Sequence, residues 1–177
     1  MNDTAPADLR SLDGRIGSAR IQLSEDGASY TAQRVFGAPP ARVYQAFTDP
    51  QDLRVWFPAG APAGSELTTC ESNPIAGGRY HYEMTIPGFG EMAWHGTYTR
   101  VDPPDGLDAE EWFVMGGAKP DGPPTTQTLR FDALAGGMTR MTMSVQMPDP
   151  QDPEEFMEQS AAGLTTSLDA MDRLVSA

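Results

Sequence analysis

The stretch PEEFMEQSAAGLTTSLDAMDRLV, residues 153–175, decides the fold. Asp152 precedes it as an N-cap, Pro153 takes the first helical position, and Glu155 falls three residues after the cap. Met157, Ala161, Leu164, Leu168, Met171 and Val175 recur at steps of three and four, along one face of a helix. Such a helix is about 34 Å long at ~1.5 Å per residue. It needs a broad apolar surface to lie across.

The middle of the chain supplies that surface. From Glu66 onward the hydrophobic period is two. In Arg79 to Ile86, Tyr80, Tyr82, Met84 and Ile86 share one face, and Arg79, His81, Glu83 and Thr85 the other. After a turn at Pro87 to Gly90, Met92, Trp94, Gly96 and Tyr98 alternate with Ala93, His95, Thr97 and Thr99. A further strand runs from Leu107 to Met115 around Trp112. Thr125 to Phe131 and Met138 to Met147 form a last hairpin across Gly136-Gly137.

Upstream, Ile16 to Leu23 and Ser29 to Phe36 are predicted as a hairpin across Ser24 to Gly27. Pro39-Pro40 opens a short helix with Val43, Ala46 and Phe47 on one side. Asp49 then caps a second, with Pro50 first and Leu53, Trp56 and Phe57 inward, ended by Pro58. Helices set apart from an antiparallel sheet make an α+β fold. Residues 1–27 lie beyond the core pattern as a partly ordered extension with room for an extra strand. Residues 28–177 form one domain.

Composition narrows the function. A formal charge of −13 and the lack of any basic stripe argue against nucleic acid. No apolar run approaches the roughly 20 residues of a membrane span. MNDTAPADLR has neither the basic nor the apolar part of a secretory signal. Lone Cys70 forms no internal disulfide, and a cytoplasmic location is expected.

Four stretches resemble the START-like superfamily, also called SRPBCC or helix-grip, in its activator-of-heat-shock-ATPase-like branch. The first is Val35-Phe36-Gly37-Ala38-Pro39-Pro40-Ala41-Arg42-Val43-Tyr44, with Ala46 to Pro50, Leu53 and Trp56-Phe57 after it. The second is Gly77-Gly78-Arg79-Tyr80 with Tyr82 and Met84. The third is Gly96-Thr97-Tyr98 with Val101-Asp102-Pro103-Pro104. The fourth is Met138 to Met143 followed by Gly163-Leu164 and Leu168. The resemblance implies a curved antiparallel sheet wrapped around the long C-terminal helix, with two short helices after its first strand, and a cavity for an apolar small molecule. Relatives include lipid carriers, cyclases, stress-response proteins and chaperone co-factors, so fold alone does not give function. A Trp that relatives often carry near the Gly of the final helix is missing from Ala162-Gly163-Leu164.

The expected ligand-binding set is Trp56, Phe57, Tyr80, Tyr82, Met84, Trp94, Tyr98, Trp112, Met141, Met143, Leu164 and Leu168. Buried Tyr and Trp bring polar atoms that need partners, ten Met residues suit an adaptable lining, and Gly96 leaves space beneath the helix. Candidates for acid–base chemistry are His95, Glu111, His81 and Glu83, and the resemblance singles out Glu111 as a carboxylate that relatives carry on this strand. Alternation puts His95 on the face opposite Trp94. Two histidines and one cysteine are too few for a metal site, and no cofactor is implied. Gly77-Gly78 has neither the Lys nor the helix of a phosphate loop and marks a bend at a strand start.

The leading expectation is therefore a binder of a small apolar or aromatic ligand between helix and sheet. The alternatives are a cyclase- or hydratase-type enzyme in the same cavity, and a module that modulates a heat-shock chaperone ATPase. Whether there is catalysis, and whether the protein is a homodimer, stays open at this point.

Overall fold

The structure, a computed structural model, describes residues 19–177. Ile16, expected to begin the first strand, lies outside them. The strands are β1 (Arg20–Leu23), β2 (Ser29–Phe36), β3 (Glu66–Ser72), β4 (Arg79–Ile86), β5 (Gly90–Asp102), β6 (Gly106–Met115), β7 (Thr125–Leu134) and β8 (Met138–Gln146). They form one eight-stranded sheet in the order β1-β2-β8-β7-β6-β5-β4-β3. Every neighbouring pair is antiparallel. Helices α1 (Pro40–Thr48) and α2 (Pro50–Trp56) connect β2 near one edge to β3 at the other. This is an α+β helix-grip fold.

The short helices form for local reasons. The Asp49 carboxylate accepts the Gln51 backbone N–H at 2.7 Å, and Pro50 needs no partner for its nitrogen. An Arg42 to Asp52 ion pair ties α1 to α2, and Trp56 Nε1 donates to the Ala46 carbonyl at 2.8 Å. Register shifts at Leu67/Thr69 and Tyr98/Arg100 are bulges of the kind that bend a sheet.

The C-terminal helix is capped as its sequence requires, with Asp152 accepting the N–H groups of Glu154 and Glu155 at 3.0 Å each. It is not α-helical throughout. Pro153–Glu155 and Ala162–Val175 are α-helical, and Phe156–Ala161 between them is a π-helix. This corrects the expected face. An unbroken α-helix would stack Met157 below Ala161, four residues on. The wider π turn instead brings Phe156, five residues before Ala161, to the inner side. Phe156 is 5% exposed and Met157 47%. Leu168, Met171 and Val175 follow the expected face and are buried with Phe36, Val43 and Met141.

Two polar fastenings hold this helix to the rest. Near its end, buried Arg34 of β2 pairs with Asp169 and, at 3.2 Å, with Asp172. Near its middle, Ser167 Oγ donates to the Phe57 carbonyl and accepts the Gly60 N–H, each at 3.0 Å. A Cβ on Gly60 would sit 2.0 Å from the Gly163 carbonyl oxygen, so the turn Phe57–Gly60 meets the helix backbone to backbone.

Candidate functional site

Strand pairing sorts side chains into rows. One row on the helix side is Ser72, Tyr80, Gly96, Glu111 and Thr125. The next is Cys70, Tyr82, Trp94 and Phe113. Another is Tyr98, Ala109, Gln127, Val145 and Tyr30. These rows, the turn after α2 and the π-helical segment bound a cavity of about 1120 Å³. Phe89 and Phe113 in its lining are 69% and 51% exposed.

The lining is mainly aromatic and aliphatic. Tyr80 and Tyr82 are stacked with centroids 5.0 Å apart. Phe57 meets Trp94 edge-on at 5.1 Å, and Trp94 meets Phe113 at 5.3 Å. Tyr30 packs on Phe156 at 5.0 Å. Gly96 does not leave the expected space. The Tyr80 ring occupies it, and a Cβ at residue 96 would lie 1.9 Å from Tyr80 Cζ.

That close approach carries the Tyr80 hydroxyl over β5, where it donates to Glu111 Oε2 at 2.7 Å. Gln127 Nε2 donates to the Tyr80 oxygen at 2.8 Å and to the same Oε2 at 3.4 Å. Glu111 faces the cavity rather than bulk water. Burial raises its pKa from 4.5 to about 6, against the opposing effect of its hydrogen bonds from Tyr80 and Gln127. Burial first, and the Glu111 charge second, push the Tyr80 phenol well above its ordinary range, so it stays a donor. The result is one polar cluster in an apolar chamber. It can accept a hydrogen bond or hold a proton that leaves near neutral pH.

Of the expected ligand-binding residues, Trp56, Phe57, Tyr80, Tyr82, Met84, Trp94, Tyr98, Met143 and Leu164 line the cavity. Three do not. Met141 and Leu168 are fully buried in the packed core, where the helix closes on the sheet. Trp112 points to the outer face, since inward Glu111 and Phe113 flank it, and its Nε1 donates to the Gly122 carbonyl at 3.0 Å. Three of the acid–base candidates share that outer face. The His81 and His95 rings pack tilted against each other at 4.3 Å across β4 and β5, and His81 Nε2 lies 3.2 Å from Glu83 Oε1. Burial and the neighbouring His81 lower the His95 pKa. Only Glu111 of the four reaches the cavity. Among the described residues, no group of three or more His, Cys, Asp or Glu could hold a metal ion. Cys70 is buried, which pushes its thiol pKa up, and its Sγ lies 3.8 Å from the Pro50 carbonyl.

The family profile described as Activator of Hsp90 ATPase homolog 1-like protein matches residues 37–176. The chain belongs to this family. Its fold recurs in the crystal structure of protein Ms6760 from Mycobacterium smegmatis, with a TM-score of 0.75, 23% identity, and 91% of this chain and 98% of that one covered. A Chromobacterium violaceum protein aligns with a TM-score of 0.69 and 26% identity over 85% of this chain and 99% of that one. An AHSA1-like protein from Aeromonas hydrophila aligns at 0.60 and 22%, covering 82% and 91%. No curated protein is similar to the chain.

Membership in the Activator of Hsp90 ATPase homolog 1-like family supports a ligand-binding domain in general. Within that frame, sequence reasoning passed over Gln127, Tyr30 and Phe156. A signal for Gln127 was present, because it alternates with Leu129 and Phe131 and so is a polar residue on an apolar face. Phe156 gave none, since only the π turn brings it inward. Among the described residues, no helix is long and apolar enough to cross a membrane.

Proposed function

We propose that this protein binds one small, largely apolar molecule in the cavity between the C-terminal helix and the sheet. The Glu111, Tyr80 and Gln127 cluster fixes its orientation. The observation that carries this reading is the chamber itself: about 1120 Å³, lined mainly by aromatic and aliphatic side chains, with a convergent polar cluster around the carboxylate of Glu111. Such a combination of apolar walls and few placed polar groups suits small-molecule recognition. The exposed lining residues, Phe89 and Phe113 among them, suit exchange with solvent.

The test is a fluorescence titration with the neutral probe N-phenyl-1-naphthylamine. The wild type should bind it with saturation at one equivalent. Leu164→Trp, which places a larger side chain into the chamber from the helix, should bind it at least about tenfold more weakly while keeping its circular dichroism. Equal binding by a folded Leu164→Trp variant would overturn the assignment.

A second reading is catalytic, and the Glu111 pKa of about 6 favours it, because a carboxyl that titrates near neutral pH can exchange a proton with a bound molecule. Glu111 would be the acid–base group and Tyr80 the donor that orients it. Turnover of a bound compound that survives Glu111→Gln would remove this reading. Action on a chaperone ATPase rests on the family description alone, and the geometry of the chamber speaks for the ligand instead.

A further inference from the structure

The charges around the chamber are one-sided. Its lining contains two carboxylates, Glu111 and Glu158, and among the described residues that form it there is no Lys, Arg or His. Two donors close to Glu111, on Tyr80 and Gln127, are already engaged. Burial first and the Glu111 charge second push the Tyr30 phenol up, so it stays neutral and brings no countercharge. The Tyr80 hydroxyl and the Gln127 amide both give their hydrogen bonds within the cluster, and both of those reaching Glu111 fall on Oε2. None among the described residues falls on Oε1. The Tyr98 hydroxyl is paired with Ser72 Oγ at 2.9 Å.

An ionised carboxylate facing a mostly apolar chamber with no countercharge is unfavourable, and a cation brought by a ligand relieves it. Aromatic rings such as Trp94 and Phe113 line the same chamber, and an aromatic wall suits a cation better than an anion. Exposed Glu158 at the helix side of the chamber and the chain's −13 charge draw cations toward the chamber and repel anions. A carboxylate ligand would meet like charge and no free basic group.

We propose that the ligand is a lipophilic amine, its ammonium N–H donating to Glu111 Oε1 and its apolar body filling the chamber, and that the site rejects carboxylates such as fatty acids. This rests on the chamber being a binding site. The amine binds the ionised form of Glu111, so binding below pH 6 releases the carboxyl proton. With a pKa of about 6, roughly a tenth of Glu111 is ionised at pH 5 and about nine tenths at pH 7. Amine affinity should therefore rise about tenfold over that interval.

The test displaces N-phenyl-1-naphthylamine with dodecylamine, dodecan-1-ol and dodecanoate, each kept monomeric. At pH 7 the amine should act at a concentration at least about tenfold below that of the carboxylate, as expected of a charge-assisted contact. Its affinity should fall about tenfold from pH 7 to pH 5, while that of the alcohol stays level. Glu111→Gln should erase the preference for the amine over the alcohol. The pH profile of the wild type carries the test even if that variant fails to fold. Dodecanoate binding as tightly as the amine, or an amine affinity that is flat with pH, would overturn the inference while alcohol binding left the binding reading intact. Failure of the probe and all three competitors to bind would overturn both.

Discussion

Tyr80 reaches Glu111 over a glycine. The two residues lie on β4 and β6, with Gly96 of β5 between them in the same cross-strand row. Neighbouring strands are about 4.8 Å apart, so the row separates their backbones by roughly 10 Å. A tyrosine spans that gap only by lying flat over the intervening strand. The missing side chain at Gly96 allows it, and the 2.7 Å hydrogen bond from Tyr80 to Glu111 is the outcome.

Gly96→Ala should therefore be damaging. Its Cβ would lie within 2.4 Å of three atoms of the Tyr80 ring, which must lift and give up Glu111. Overpacking costs about 1–3 kcal/mol, and loss of the hydrogen bond about 1 kcal/mol more. Urea unfolding measures the sum. A variant as stable as the wild type would show that the ring has room to move.

Glu111 should make stability depend on pH. Its pKa is raised from 4.5 to about 6, so between these values the folded state holds a proton that the unfolded chain has lost. The benefit of the neutral form is complete below pH 4.5 and is lost as the pH rises through about 6. At ~1.36 kcal/mol per pKa unit this amounts to about 2 kcal/mol. Glu111→Gln keeps an acceptor for Tyr80 without the charge. Its stability relative to wild type should improve by about that amount between pH 4 and pH 7. A difference independent of pH would contradict the burial of this carboxyl.

Arg34 should be among the most sensitive positions. It is 4% exposed and faces Asp169 and Asp172 from β2. Arg34→Ala leaves buried Asp172 without its cation and should cost about 3–5 kcal/mol, read as a lower urea midpoint. A loss below about 1 kcal/mol would mean that the pair contributes nothing beyond a surface bridge.

Ser167→Ala removes both the donor to the Phe57 carbonyl and the acceptor of the Gly60 N–H. A cost of about 1–3 kcal/mol is expected, because two polar groups lose a partner where helix and turn touch. Thermal unfolding checks it, and an unchanged midpoint would show that water replaces the hydroxyl.

The outer-face histidines offer a control. His81→Ala and His95→Ala lie on the side of β4 and β5 away from the chamber, so both variants should bind N-phenyl-1-naphthylamine as the wild type does. A loss of binding in either would place the site on the other face.

Strand alternation made much of this legible, because one side of the sheet is apolar and the other polar. Tyr80, Tyr82 and Met84 fall inward and His81 and Glu83 outward, as the period of two requires. In β6 that contrast fails, since Glu111 and Trp112 adjoin and both are half-buried. Hydrophobicity favours Trp112 for the inside. Pairing with Gly96 places Glu111 there instead and leaves Trp112 opposite His95. The helix was legible from its cap and its later turns. The π segment was not, because both Phe156 and Met157 are apolar and only the tertiary contact with Tyr30 selects between them. Met141 and Leu168 share a face with lining residues, yet lie where helix and sheet close together. Distance from the helix, which alternation does not encode, separates core from chamber.

The central claim is that a ligand enters the chamber between helix and sheet, and methionine methyl NMR tests it most directly. The methyls of Met84, Met92 and Met143 line the chamber, whereas those of Met138 and Met171 do not. Titration with N-phenyl-1-naphthylamine should shift the first three signals and leave the other two in place. A saturable probe whose shifts fall on Met138 or Met171, with Met84, Met92 and Met143 unmoved, would contradict the account.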